Sequence, residues 1–332
     1  MGIVLNVAAI SAGIGIVIGL LRAEDGAFGE AMFAGALTGG FIGLACSVVE
    51  YLFLSNVRFK FTRRLPPVAL GAVRAIIFGV IIVFGLTAPV FVVEIPLPWR
   101  DPDFFEMFAI SAGIATAMSI GIEVARLLGS EATFALFSGR YHRPRLEDRV
   151  VLFADLVGST ALAERIGDLR FHTYLQDVAL DLAGPIEQAR GNVYRYVGDA
   201  VIVTWPLGKG VQNAVCLTCA MNMHQVLEQR AASYLHRFGS EARLRVSLHC
   251  GHVAAGEIGD WKKEIALLGD TMNTAARIES AAKIMGEATV LSDALVQQLP
   301  EETRSNLRPL PPYAAAGKSE RLKLWATSRR DA

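Results

Sequence analysis

The sequence predicts a chain in two parts, four apolar membrane helices followed by a soluble α+β sandwich, and three observations predict it. Residues 1–128 are dominated by long apolar stretches, whereas the rest has the mixed polarity of a globular domain. Four stretches, roughly 3–21, 31–55, 67–93 and 105–128, approach or exceed the ~20 apolar residues that cross a bilayer. Beyond residue 148 the pattern switches to short apolar runs alternating with amphipathic segments, the rhythm of strands and helices in one domain. A length of 332 residues accommodates both parts, since domains usually take ~100–200 residues. The expected boundaries are 1–128 for the membrane domain, 129–148 for a cytoplasmic linker and 149–328 for the soluble domain.

The first stretch lacks a basic leader and a clear cleavage site, and three more follow it, so it reads as a retained span rather than a signal peptide. Basic residues in short loops set orientation. Arg58, Lys60, Arg63 and Arg64 crowd the loop between spans two and three, while the other two loops are acidic on balance. That loop is therefore expected on the cytoplasmic side, with both termini and the soluble domain, in a multi-pass protein of the inner (cytoplasmic) membrane. Glu50 and Arg74 fall at similar depth near the cytoplasmic ends of their spans, placed either to pair across the hairpin or to snorkel separately to the interface. The hexapeptide AISAGI, at 9–14 and again at 109–114, offers small residues for close helix packing.

Thirty-two basic and 32 acidic residues balance, so no basic surface argues for nucleic acid. Four cysteines, two of them in CLTC at 216–219, lack the second pair that a zinc site requires, and they read as buried thiols.

In the soluble part, RVVLFADL reads as a buried strand. Ser159 or Thr160 is placed to cap the helix after it. FHTYLQDVALDLAGPIEQA follows as an amphipathic helix. NVYRYV and AVIVTW are strands separated by only Gly198 and Asp199, which is a hairpin signal. A long helix is expected over about 210–238, then two strands in RLRVSLHCGHVAAGEI, then a helix in TMNTAARIESAAKI capped by Asp270 or Thr271. Strand, helix, strand, strand, helix, strand is the ferredoxin-like order.

In that order the first strand lies beside the hairpin, so Asp155, at a strand end, and Asp199, in the hairpin turn, meet at one sheet edge. Two carboxylates together with phosphate oxygens suit a hard cation such as Mg²⁺. The backbone N–H groups of Gly158, Ser159 and Thr160 offer an anion site beside them. Asn273 and Arg277 stand four residues apart on one helix face, where an amide and a guanidinium suit a ribose and a phosphate. Taken singly, each has a plain structural reading as a turn residue or part of a solvated face.

Together, LFADLVGST, YVGDAVIV and LGDTMNTAARIE resemble the catalytic domain of class III nucleotidyl cyclases, the adenylate and guanylate cyclases, over about residues 146–328. The resemblance implies two Mg²⁺ or Mn²⁺ ions held by Asp155 and Asp199 with help from the Leu156 carbonyl. It assigns the ribose to Asn273, transition-state charge to Arg277 and a phosphate contact to Lys318. It also implies a head-to-tail homodimer, because in this family the aspartates and the Asn/Arg pair of one site come from different subunits. At the base-reading positions, where adenylate cyclases have Lys with Asp or Thr and guanylate cyclases Glu with Cys, this chain has Arg195 and Ala266. A donor at the first position favours ATP, converted to 3′,5′-cyclic AMP and pyrophosphate. GTP, or use of both, remains an alternative. So does a catalytically silent receptor, which the intact Asp155, Asp199, Asn273 and Arg277 set argues against. Diguanylate cyclase chemistry lacks its GG[DE]EF turn, and a transporter lacks broken helices.

Overall fold

The computed structural model describes residues 2–21, 23, 28–50, 67–87, 104–129, 138–261, 263–314 and 321–327. The chain divides into two compact units, Met1–Val124 and Ala125–Ala332. The loop bases Arg58, Lys60, Arg63 and Arg64, and Lys318 near the end of the chain, lie outside the described residues.

The first unit consists of α1 (Gly2–Leu21), α2 (Phe28–Val49), α3 (Pro67–Thr87) and the start of α4 (Phe104–Leu128). Among the described residues two helices are long and apolar enough to cross a bilayer, Phe28–Val49 and Phe104–Gly121, while Ala8–Leu21 and Ala72–Thr87 are shorter apolar stretches. Helices α1 and α2 form an antiparallel pair whose backbones nearly touch. A Cβ on Gly15 would sit 2.0 Å from the carbonyl oxygen of Gly35, and one on Gly39 would sit 2.3 Å from that of Ser11. Glycines four residues apart allow such an approach, which gains dispersion contacts no larger side chain permits. Ser11 belongs to the first AISAGI copy, so that segment does serve close packing.

Glu50 and Arg74 pair, with Arg74 Nη2 donating to Glu50 Oε1 at 3.0 Å and both side chains only 8% exposed. Breaking such a pair strands a charge away from water, whereas removing both members does not. Arg74→Ala is expected to destabilise the first unit by about 3–5 kcal/mol. The double variant Glu50→Ala/Arg74→Ala should lose less, which thermal unfolding of the full chain in detergent would measure.

The second unit is built on a mixed eight-stranded sheet: β1 (Arg145–Leu156), β2 (Asn192–Val197), β3 (Ala200–Pro206), β4 (Leu244–Ile258), β5 (Glu264–Leu268), β6 (Thr289–Ser292), β7 (Leu307–Pro309) and β8 (Leu324–Thr327). Its order is β2-β3-β1-β4-β6-β8-β7, with β5 paired to β4. The first four strands, all antiparallel, reproduce the ferredoxin-like arrangement; β6 then adds parallel to β4, extending the sheet beyond the six-element order.

Helices cover both faces. The helices of five or more residues are α5 (Ser159–Ile166), α6 (Asp168–Gln188), α7 (Leu207–Val211), α8 (Val215–Gln229), α9 (Ala231–Phe238) and α10 (Asp270–Met285). Strand alternation sorts the β1 side chains. Val150, Leu152, Ala154 and Leu156 enter the large core with Tyr174, Leu182, Met223 and Leu227 of α6 and α8. Val151, with Phe153 packed alongside, joins Ile202 and Ala275 of α10 on the opposite face. Burial on both faces is why the strand reads VVLFA without a polar interruption.

Three expectations are corrected. RLRVSLHCGHVAAGEI forms the single 15-residue strand β4 rather than two. Gly251 is not a break there; a Cβ on it would meet Thr271 Oγ1 at 2.6 Å, so the glycine admits the start of α10. The stretch 210–238 is a broken run, with Asn213 and Ala214 at φ 52 before α8 and Arg230 separating α8 from α9. The caps differ too. Gly158 and Gly269 occupy the N-cap positions of α5 and α10 without a side-chain cap bond. Ser159 and Asp270 are instead the first helical residues, and Thr271 Oγ1 donates to the His252 carbonyl at 2.6 Å, tying α10 to β4.

Candidate active site

The register of the central strands explains why two aspartates converge. β1 and β3 pair with Ala154 opposite Val201, and β2 closes onto β3 with Val197 opposite Ala200. Continuing that register by one residue brings Asp155 to the end of β1 beside the turn that holds Asp199. Gly198 takes φ 61 and Gly158 takes φ 74, left-handed backbone that glycine adopts without strain. The chain can therefore turn sharply just after each strand end.

Asp155 and Asp199 lie within hydrogen-bonding reach of one another, and the Asp155 carboxyl is pushed up to about 6. Burial is the main cause; the Asp199 carboxylate comes next, then the Glu279 carboxylate, with Arg245 opposing. Asp199 Oδ2 is closed to solvent and accepts no hydrogen bond. Asp199 Oδ2 has no donor to face unless a proton sits on Asp155. A buried carboxylate oxygen without a donor is costly, and a divalent cation would satisfy it as well as the proton does. The donor set thus fits a hard cation shared with phosphate oxygens. Among the described residues no three His, Cys, Asp or Glu side chains cluster as a metal site; a cation held here would take two carboxylates from the protein and its remaining ligands from backbone, substrate or water. The Leu156 side chain is buried in the core at 3% exposure.

Gly158, Ser159 and Thr160 stand at the start of α5, with only Val157 between them and Leu156. The amides of a helix's first turn have no intrahelical acceptor, so they open beside the carboxylates. The Asn273 and Arg277 side chains are both on α10, Asn273 exposed and Arg277 half-buried. Thr274, Ala275 and Ile278 are the buried side of α10, and Glu279 is near enough to act on Asp155. At about 100° per residue, Arg277 lies roughly 200° around the helix from Glu279. Arg277 and Glu279 therefore project from different flanks of α10.

At the positions expected to read the base, the structure adds a residue. Arg195 Nη2 donates to Glu264 Oε2 of β5, while Ala266 is 4% exposed and offers only a methyl group. Sequence reasoning missed Glu264, Glu279 and Arg245. A strand's two-residue alternation from Ala266 would have drawn attention to Glu264, and the pairing partner of Asp155 on β4 is Arg245. The cysteines are free, with Cys216, Cys219 and Cys250 buried.

A mixed sheet carrying two convergent aspartates and a glycine turn into a helix is the architecture of class III nucleotidyl cyclases. The family "Adenylate and Guanylate cyclase catalytic domain" matches residues 142–320, more than half of the chain, and the chain belongs to that family. It is 36% identical over 201 residues to Adenylate cyclase 2 of Rhizobium meliloti (strain 1021), covering 60% of this chain and 55% of that protein. It is 28% identical over 156 residues to the receptor-type guanylate cyclase gcy-28 of Caenorhabditis elegans, covering 47% of this chain and 12% of that one. The chain thus spans about half the length of the first relative and a small part of the second. In fold it is similar to a bacterial light-regulated adenylyl cyclase, with a TM-score of 0.57 at 16% identity, covering 68% of this chain and 66% of that one.

Proposed function

We propose that the chain is a membrane-anchored adenylate cyclase of the inner membrane that converts ATP to 3′,5′-cyclic AMP and pyrophosphate at sites shared between two subunits. The observation that carries this reading is the convergence of Asp155 and Asp199 with a buried, donor-less carboxylate oxygen between strand end and hairpin turn. Mg²⁺ or Mn²⁺ ions held there, with the Leu156 carbonyl assisting, would lower the pKa of the ribose 3′-hydroxyl and neutralise the triphosphate.

The chain's own groups do the rest. The amides of Gly158, Ser159 and Thr160 take the phosphate oxygens, as helix N-termini do. Asn273 orients the ribose so that its 3′-oxygen lies in line with the α-phosphorus. The 3′-hydroxyl gives up its proton to solvent, its oxygen bonds to phosphorus, the bond to the bridging oxygen of pyrophosphate breaks, and Arg277 stabilises the negative charge that builds on the phosphoryl oxygens. Lys318 is assigned a further phosphate contact. The placement of Arg277 on a different flank of α10 from Glu279, whose charge acts on Asp155, supports a partner subunit as the source of half of each site. The apolar helices of the first unit serve as anchor, with the second unit on the cytoplasmic side.

The test is direct: full chain purified in detergent, incubated with Mn²⁺ and either ATP or GTP, products separated as cyclic AMP and cyclic GMP. Cyclic AMP as the main product supports the reading. Cyclic GMP as the main product would make the chain a guanylate cyclase, and no cyclic product from a dimeric sample would leave a silent receptor.

A further inference from the structure

We propose that Glu264 is a specificity-determining residue of this site: with Arg195 it reads the adenine edge, accepting the hydrogen bond of the 6-amino group that Ala266 cannot accept. The inference rests on the adenylate cyclase reading above and assigns its base recognition.

The geometry that carries it begins in β2. The ladder to β3 skips from Val193 opposite Val203 to Arg195 opposite Ile202. Tyr194 is thus the extra residue of a bulge, a device that re-aims neighbouring side chains. Both Tyr194 and Arg195 consequently reach β5, although β3, β1 and β4 intervene between β2 and β5 in the sheet. The Tyr194 hydroxyl accepts from the Leu267 backbone N–H at 3.0 Å, its ring packs with Tyr141, Leu267 and Met272, and the Arg195 guanidinium lies 5.3 Å over that ring. The spacing between Arg195 and β5 is therefore set by a buried junction rather than by the ion pair itself.

On β5, side chains two apart share a face, so Glu264 stands beside Ala266 on the side where base recognition is expected. The Arg195 and Glu264 side chains remain 45% and 38% exposed, and so exposed a pair adds little to folding. It does present a guanidinium, which only donates, next to a carboxylate, which only accepts when ionised. Adenine presents the complementary order, acceptor N1 beside the donor 6-amino group. Guanine presents donor N1–H beside acceptor O6, and with the ribose held in one place the same pair would meet like with like. A site whose polar groups are left unpaired by the wrong base discriminates strongly. Glu264 thus supplies the acceptor whose absence at Ala266 leaves the base-reading pair incomplete.

The experiment compares ATP, GTP and purine riboside triphosphate, which lacks the 6-amino group, with full chain and Mn²⁺. Wild type is expected to favour ATP over the purine analogue in kcat/KM by about ten- to a hundredfold, the range for a hydrogen bond to a charged group. Glu264→Ala should bring that ratio to within about threefold, mainly through KM for ATP, with a melting temperature within about 2 °C of wild type. Glu264→Gln keeps the size and adds a donor, and should raise use of GTP relative to ATP; it decides the matter if the alanine variant folds poorly. Unchanged discrimination in both variants, or a wild type that treats ATP and the analogue alike, would overturn the assignment while leaving the cyclase reading intact. A wild type that cyclises none of the three sinks the cyclase reading itself.

Discussion

Asp155→Asn is expected to lower cyclic nucleotide formation by about a thousandfold or more while making the metal-free protein more stable at neutral pH. The two effects have one cause. Asp155 is held close to Asp199, and burial together with the neighbouring carboxylates pushes it up to about 6, above its ordinary value of 3.8. Between those values the unfolded chain releases the proton that the folded chain retains, so stability falls as pH rises through this window and the full penalty is present above ~6. A two-unit shift corresponds to ~3 kcal/mol at most; since the carboxyl is about half-exposed, screening reduces this to about 1 kcal/mol. Asparagine removes the charge and the penalty, so metal-free Asp155→Asn should melt about 2–4 °C above wild type at pH 7 and show no gain near pH 4. Mn²⁺ should raise the wild-type melting temperature and leave that of the variant nearly unchanged. An asparagine variant that melts below metal-free wild type at pH 7, or that keeps its activity, would contradict the role given to the aspartate pair.

How much of this was legible in the sequence depends on how local the signal is. The end of β1 was legible because an apolar run buried on both faces must stop where Asp155 appears, and the β2–β3 turn because two strands separated by Gly198-Asp199 leave room for nothing else. The break in the run over 210–238 was not, since left-handed backbone at Asn213 and Ala214 has no glycine to announce it. The single strand β4 was not legible either: Gly251 within it is the point where Thr271 approaches, a tertiary cause invisible to pattern reading. The caps failed for a related reason: Ser159, Thr160, Asp270 and Thr271 were all plausible caps, yet glycine precedes both helices and leaves the amides at the start of α5 without a side-chain acceptor. That suits a phosphate better than a capped helix would. Glu264 escaped because its importance lies in a bulge at Tyr194 and a contact across three intervening strands, and no window of sequence contains both.

Mixing two inactive variants, Asp155→Ala and Arg277→Ala, is expected to restore activity. Each variant alone forms dimers in which both sites lack an essential group, and each should lose about a thousandfold, the scale of losing a charge-stabilising donor or more. In a mixed dimer one site collects Asp155 and Asp199 from the Arg277→Ala chain and Arg277 from the Asp155→Ala chain, and it is complete; the other collects both defects. Equal co-expression with random pairing makes half of the dimers mixed, each with one working site of two, so about a quarter of wild-type activity should return. The expectation is consistent with helix geometry in one chain: the Glu279 carboxylate of α10 is near enough to act on Asp155, and Arg277, two residues earlier, projects roughly 200° around the helix from it. Ala275 and Ile278, fully buried in the core, fix the rotation of α10 and with it the flank from which Arg277 projects. If co-purified mixed dimers stay as inactive as either parent, Arg277 acts within its own subunit, and the shared-site arrangement is wrong even if the chain is a cyclase.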